Sequence, residues 1–238
     1  MGEKEILKEN FIRIKQRISD AAAKSQRNPA DITLMAVTKK KNAEVVRNLL
    51  DLGIQYFGEN YPDETLEKMD IFDQFRDQLR LCMIGHLQSR KIRIIAGHFD
   101  EFHSLDRLNT AMKLNDLLAK QEKSMPVFIE LNVGEEESKS GWQCENGKPS
   151  DQLLRDLEII RDLPCLAIRG IMSLPPFTED SEENRCYFSE LRQVFTILNE
   201  NYGYQMFHLS MGTSIDYPVA IEEGATFIRI GTALTGPR

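Results

Sequence analysis

Cysteine is scarce in this chain of 238 residues, and the four present, Cys82, Cys144, Cys165 and Cys186, are far apart with no C-x-x-C pair. They read as reduced thiols of a cytosolic protein rather than as a disulfide framework. Histidine is equally sparse: His86, His98, His103 and His208 are scattered without metal-ligand spacing, so no metal site is expected. No apolar run approaches the length of a membrane span. The first residues, Met1 to Ile6, are charged rather than apolar, so neither a secretory leader nor an anchor is expected. An excess of positive charge is also missing. Thirty Lys and Arg stand against 37 Asp and Glu, for a net charge of −7, which leaves no sequence-wide footprint for nucleic acid or an anionic membrane.

A length of 238 residues with 41% hydrophobic content suffices for one large α/β domain. Residues Glu5 to Lys24 place apolar side chains near the helical period among charges, which predicts a leading amphipathic helix, broken by Asn28-Pro29. From Ile32 onward a strand followed by a helix recurs. Strands are expected at Ile32–Thr38, Tyr56–Gly58, Leu79–Ile84, Glu101–Leu105, Pro126–Val133, Cys165–Met172, Gln205–Leu209 and Thr226–Ile230. Between them, a helix is expected from Pro62 to Phe75, another running to Gln121 with Asp106 as its cap, and a long one from Ser181 to Asn201. The polar stretch Gly134 to Ser150, containing Lys139-Ser140-Gly141-Trp142, reads as a functional or mobile loop.

Eight such units after a leading helix predict a single (β/α)8 barrel over residues 32–236, with residues 1–28 as the leading helix and no second domain in 1–238. A doubly wound open sheet is the alternative architecture. If it bound a dinucleotide it would carry a glycine-rich turn after its first strand, and that turn is here Lys39-Lys40-Lys41-Asn42.

Those lysines end a buried strand, where partial desolvation and neighbouring ammonium groups favour a neutral, nucleophilic amine. In a barrel, functional residues sit at the C-terminal strand ends, and the loops after strands seven and eight commonly hold phosphate. Strand seven runs into Ser210-Met211-Gly212-Thr213-Ser214 and strand eight into Gly231-Thr232: small residues that let backbone amides reach an anion. In a closed barrel these loops neighbour the lysine end of strand one. A cofactor with both an aldehyde and a phosphate satisfies both features, and pyridoxal 5′-phosphate (PLP) is such a cofactor. Strand alternation puts Lys39 and Lys41 on one face and leaves the choice between them open.

The segments Ala36-Val37-Thr38-Lys39, Phe57-Gly58-Glu59-Asn60-Tyr61, Ile84-Gly85-His86-Leu87-Gln88-Ser89, Lys139-Ser140-Gly141, Leu209-Ser210-Met211-Gly212, Ser214-x-Asp216-Tyr217 and Arg229-Ile230-Gly231-Thr232 occur in order along the chain. Together they resemble the YggS/PROSC pyridoxal phosphate homeostasis proteins, whose barrel is similar to the alanine racemase N-terminal domain. The resemblance implies that Lys39 holds PLP as an internal aldimine, and that Ser210, Gly212, Ser214, Gly231 and Thr232 surround its phosphate. It further implies that Asn60 lies beside the cofactor and that Arg229 faces the pyridine nitrogen, keeping it unprotonated. Cys82, Met83 and Thr213 depart from common family residues. They are expected near the cofactor, Thr213 with a hydroxyl for the phosphate.

The resemblance implies a cytoplasmic carrier in vitamin B6 homeostasis, a monomer without evident racemase machinery that supplies PLP to apoenzymes. The alternative is a PLP enzyme of narrow racemase type, which requires an acid/base on each face of the substrate. No residues are expected to remain for the domain that supplies the second one in racemases.

Overall fold

The computed structural model describes residues 2–134 and 140–237. Eight parallel strands close on themselves: β1 (Thr33–Val37), β2 (Tyr56–Glu59), β3 (Arg80–Met83), β4 (Glu101–Leu105), β5 (Met125–Asn132), β6 (Leu166–Ser173), β7 (His208–Ser210) and β8 (Phe227–Ile230). Each pairs with its sequence neighbours, and β8 returns to β1 with Ala36 beside Ile230. Closure leaves no sheet edge, which is the physical merit of a barrel over an open sheet.

Strand alternation separates two apolar layers. Met35, Val37, Cys82, Ile84, Phe128, Met172 and Phe227 fill the interior, where His103 stacks on Phe128 at 3.7 Å between ring centroids. The opposite parity, including Ala36, Phe57, Leu81 and Ile228, packs against the surrounding helices. The leading helix α1 (Glu3–Lys24) buries Leu7, Ile14, Ile18, Ala21 and Ala22. It lies against two short helices late in the chain, Tyr217–Glu222 and Thr232–Thr235, and Asn10 donates a 2.9 Å hydrogen bond to the Leu234 carbonyl. An element from the start of the sequence thus braces the loops that follow β7 and β8.

Three local expectations are corrected. The helix expected over Pro62–Phe75 divides into α3 (Pro62–Leu66) and α4 (Met69–Gln74). The break falls where Lys68 turns its amine inward to the Glu59 carboxylate, at 2.6 Å. Asp106 does not cap the following helix, α6 (Leu108–Ala119), whose N-cap is Arg107. Its carboxylate is engaged instead by Arg107 Nη1 at 2.9 Å and His86 Nδ1 at 3.1 Å. The stretch after β5 is not all loop: Trp142–Glu145 pairs antiparallel with Lys148–Pro149 and parallel with the end of β5. Asn146-Gly147, both at positive φ, turns that hairpin, and Trp142 Nε1 anchors it to Asp156 at 2.8 Å. Lys139, part of the loop motif, lies outside the described residues.

Candidate functional site

The C-terminal strand ends converge at one mouth, and β1 supplies its amines. Met35 and Val37 point inward, and Thr38 points outward to donate its hydroxyl to the buried Glu59 Oε1 at 2.7 Å. Lys39 therefore follows on the inward side. At Lys40 the backbone enters the left-handed region, φ 61°, and its N–H bonds the Glu64 carboxylate. The resulting turn ends strict alternation. Lys41 carries its amine to the carbonyls of Thr235 at 3.0 Å and Pro237 at 2.9 Å, tying the end of β1 to the C-terminal segment. Lys40 is exposed, whereas Lys39 is half-buried and lines a cleft with Val37, Lys41, Gly231 and Thr232. The three lysines thus have different surroundings, which alternation alone could not show.

The loops after β7 and β8 meet beside this cleft. The Ser214 hydroxyl accepts from the N–H groups of Gly231 and Ala233, both at 3.2 Å, so these backbone donors already converge on an oxygen. Gly212 has φ +90°, and a β-carbon there would fall 2.6 Å from the Ala220 β-carbon, so the turn admits only glycine. Buried Asp216 holds the turn by accepting from the Thr213 N–H at 2.6 Å. It also receives the Thr213 hydroxyl at 3.0 Å, so that hydroxyl is turned to Asp216 rather than offered to the cradle. Ser210 is likewise directed inward. Its hydroxyl, fully buried, accepts from Arg229 Nη1 at 2.8 Å and lies 3.3 Å from His103 Nδ1.

Arg229 is held in the barrel mouth by Ser210 and by the Ser173 carbonyl, which accepts from Nη2 at 2.8 Å. Burial lowers its pKa to about 10, against the opposing pull of Asp216 and Glu130, so it remains a cation at neutral pH. Asn60 lines a neighbouring cavity of about 200 Å³ with Ile84, Gly85, His86, Glu130, Asn132 and Ser140. It does not cap α3, where Tyr61 is the N-cap, and its Oδ1 is buried without a hydrogen-bond partner. Gly85 lets these strands converge, because a β-carbon there would sit 2.5 Å from the Asn60 carbonyl oxygen.

Sequence reading missed Glu130. It sits within the most apolar strand but shares inward parity with Phe128 and Asn132, and a carboxylate at such a position near a strand end is the signal that marks it. Burial raises its pKa to about 7, the Asp106 charge pushes it further up, and Arg229 opposes both. In the unfolded chain the carboxyl has its ordinary pKa, so the protonated folded form contributes stability that is complete below about pH 4.5 and is lost as pH rises through 7. A rise from 4.5 to about 7 corresponds to about 3 kcal/mol. Glu130→Gln is expected to flatten this part of the profile and to be more stable than the parent at pH 8, as read from urea midpoints at pH 5 and pH 8.

Cys82 and Met83 lie on β3, where Cys82 is level with Gly58 of β2 and Val37 of β1. Cys82 faces the interior below Ile84, in a cluster with Glu101 and His103, and Met83 faces the helix layer. Within that cluster, His103 Nε2 is 2.8 Å from Glu101 Oε2 and His103 Nδ1 is 3.3 Å from Ser210 Oγ.

The mouth offers a half-buried amine and backbone donors aimed at one oxygen, a set that fits an aldehyde carrying a phosphate. The model of the alanine racemase N-terminal domain matches residues 10–238. A pyridoxal phosphate homeostasis protein from Aquifex aeolicus is 37% identical over 231 residues, which is 97% of each chain. The structure of PipY from Synechococcus elongatus with PLP bound superposes with a TM-score of 0.77 at 29% identity, covering 94% of this chain and all of that one. An alanine racemase from Clostridium difficile shares the fold at a TM-score of 0.72 and 14% identity, with 97% of this chain covering 56% of that one. Among the described residues no helix is long and apolar enough to cross a membrane.

Proposed function

Because the chain belongs to the pyridoxal phosphate homeostasis proteins of the alanine racemase N-terminal domain family, we infer that it binds PLP covalently through Lys39 and serves in PLP homeostasis and cofactor supply. The observation that carries the reading is that Lys39 shares one cleft with Gly231 and Thr232, beside the amides that converge on Ser214. When bound, PLP supplies an aldehyde that condenses with amines and a ring that withdraws electrons.

In this reading the residues of the chain divide the task. Lys39 holds the aldehyde end. Gly212, Ser214, Gly231 and Thr232 form the phosphate cradle, with their N–H groups and hydroxyls as donors. Asn60 stands at the side of the ring. Arg229, a cation that Ser210 and Ser173 hold in place, would be the residue set toward the ring nitrogen and would oppose its protonation. Ser210 thus contributes by bracing Arg229, its hydroxyl being turned away from the cradle. A ring nitrogen kept unprotonated makes the ring a weaker electron sink, which suits retention of the cofactor more than carbanion chemistry.

The role we assign is that of a cytoplasmic, monomeric carrier that passes PLP to apoenzymes. The test is exchange of the α-proton of free amino acids in D₂O by the PLP-loaded protein, followed by NMR across the standard amino acids. The expected result is no exchange at a catalytic rate. Exchange with turnover for any one amino acid would overturn the carrier reading in favour of a racemase-type enzyme.

A further inference from the structure

The cavity lined by Asn60 and Glu130 has a chemistry of its own. It is bounded by the ends of β2, β3, β5 and β6, and β5 stands opposite β1 in a closed barrel of eight strands, so the cavity faces Lys39 across the mouth. Glu130 is 8% exposed, and its Oε2 is buried with no hydrogen-bond partner. Asn60 presents a second unpartnered acceptor, Oδ1, from the facing wall. Among the described residues, Arg229 donates to Ser210 and Ser173, and Arg107 to Asp106 and the Leu87 carbonyl. His86 is held by Ser140 and Asp106, at 2.8 Å and 3.1 Å.

Acceptors without donors, one of them a carboxylate, define the complement they require. A buried carboxylate oxygen without a partner costs free energy that only a donor can recover, and a cationic donor recovers most. We propose that this cavity binds the ammonium group of a small primary amine or amino acid, with Glu130 as its counter-ion and Asn60 Oδ1 as a second acceptor. The volume of about 200 Å³ accommodates a molecule of that size. The proposal rests on the PLP reading only in that this cavity opens at the same barrel mouth as the lysine that holds the aldehyde. The groups that face Glu130 are Asp106 from the end of β4, Arg229 from β8 and His86 after β3. Asp106 reinforces the attraction for a cation, and Arg229 opposes it.

The site can be tested without the cofactor. The full chain carrying Lys39→Ala, which has no amine on which to hold PLP, is titrated calorimetrically with propylammonium chloride, with 1-propanol as the neutral control. Propylammonium is expected to bind, propanol is not, and Glu130→Gln in the same background is expected to weaken binding at least tenfold, while the exposed Glu122→Gln leaves it unchanged. With Glu130 unaltered, binding should tighten severalfold between pH 6 and pH 8 as its carboxyl ionises. This second measurement needs no substitution at the site. Equal affinity with Glu130→Gln, equal binding of propanol, or affinity independent of pH would overturn the proposal. Failure of the covalent PLP reading would show separately, as a missing cofactor adduct in the parent protein.

Discussion

Lys39→Ala is expected to purify without the visible absorbance of protein-bound PLP and without any adduct that borohydride can fix, while Lys40→Ala and Lys41→Ala keep both. The reasons lie in the geometry after β1. The three side chains are adjacent in sequence, but the positive φ of Lys40 turns the chain just beyond Lys39, and only Lys39 continues the inward row begun by Met35 and Val37. Lys41 is withdrawn by the carbonyls of Thr235 and Pro237, so its substitution should loosen the C-terminal segment and reduce PLP affinity by a modest factor while leaving the covalent link. Absorbance spectra and intact mass after reduction distinguish the three variants. Loss of the adduct in Lys41→Ala with retention in Lys39→Ala would reverse the assignment.

Lys68→Met is expected to be among the most destabilising single substitutions in the protein, by about 3–5 kcal/mol, because it leaves a buried carboxylate without its counter-ion. Glu59 is fully buried, and its Oε1 receives Lys68 Nζ at 2.6 Å and the Thr38 hydroxyl at 2.7 Å. Burial pushes the Glu59 pKa up, and Lys68 is the main influence that holds it down. The same amine donates to the Thr38 carbonyl at 2.9 Å, so the network fixes the backbone immediately before Lys39. The double variant Glu59→Gln/Lys68→Met removes the stranded charge and should recover most of the loss. Urea denaturation of both variants supplies the comparison. A single variant within about 1 kcal/mol of the parent would show that the pair contributes little net stability.

The fold was legible where physics is local. Strands such as β5 announce themselves as apolar runs, and eight strand-helix units imply closure once the spacing is counted. The hairpin at Asn146-Gly147 was read as loop because of its polar surroundings, although that dipeptide favours the left-handed conformations it adopts. The misreadings arose where a side chain answers to a distant partner. Asp106 precedes a helix and so resembles a cap, but His86, twenty residues earlier, engages it. Lys68 fits a solvated helix face by period, and its inward turn follows from a carboxylate on β2.

The site divides along the same line. The lysine run and the small residues after β7 and β8 follow from strand ends and turn chemistry, whereas the separation of Lys39 from Lys41 depends on one residue with positive φ. Ser210 reads as a phosphate ligand in sequence, and only the barrel interior shows its hydroxyl on Arg229. Glu130 acquires its raised pKa from burial in the barrel mouth, reinforced by Asp106 just after β4 and opposed by Arg229 on β8, none of which sequence proximity reveals.

The most direct test is to reduce the unaltered, PLP-loaded protein with borohydride, digest it, and locate the pyridoxyl group by mass spectrometry. The expected result is a single modified residue, Lys39. A pyridoxyl group on Lys40, Lys41 or Lys68, or bound PLP that reduction leaves entirely free, would contradict it.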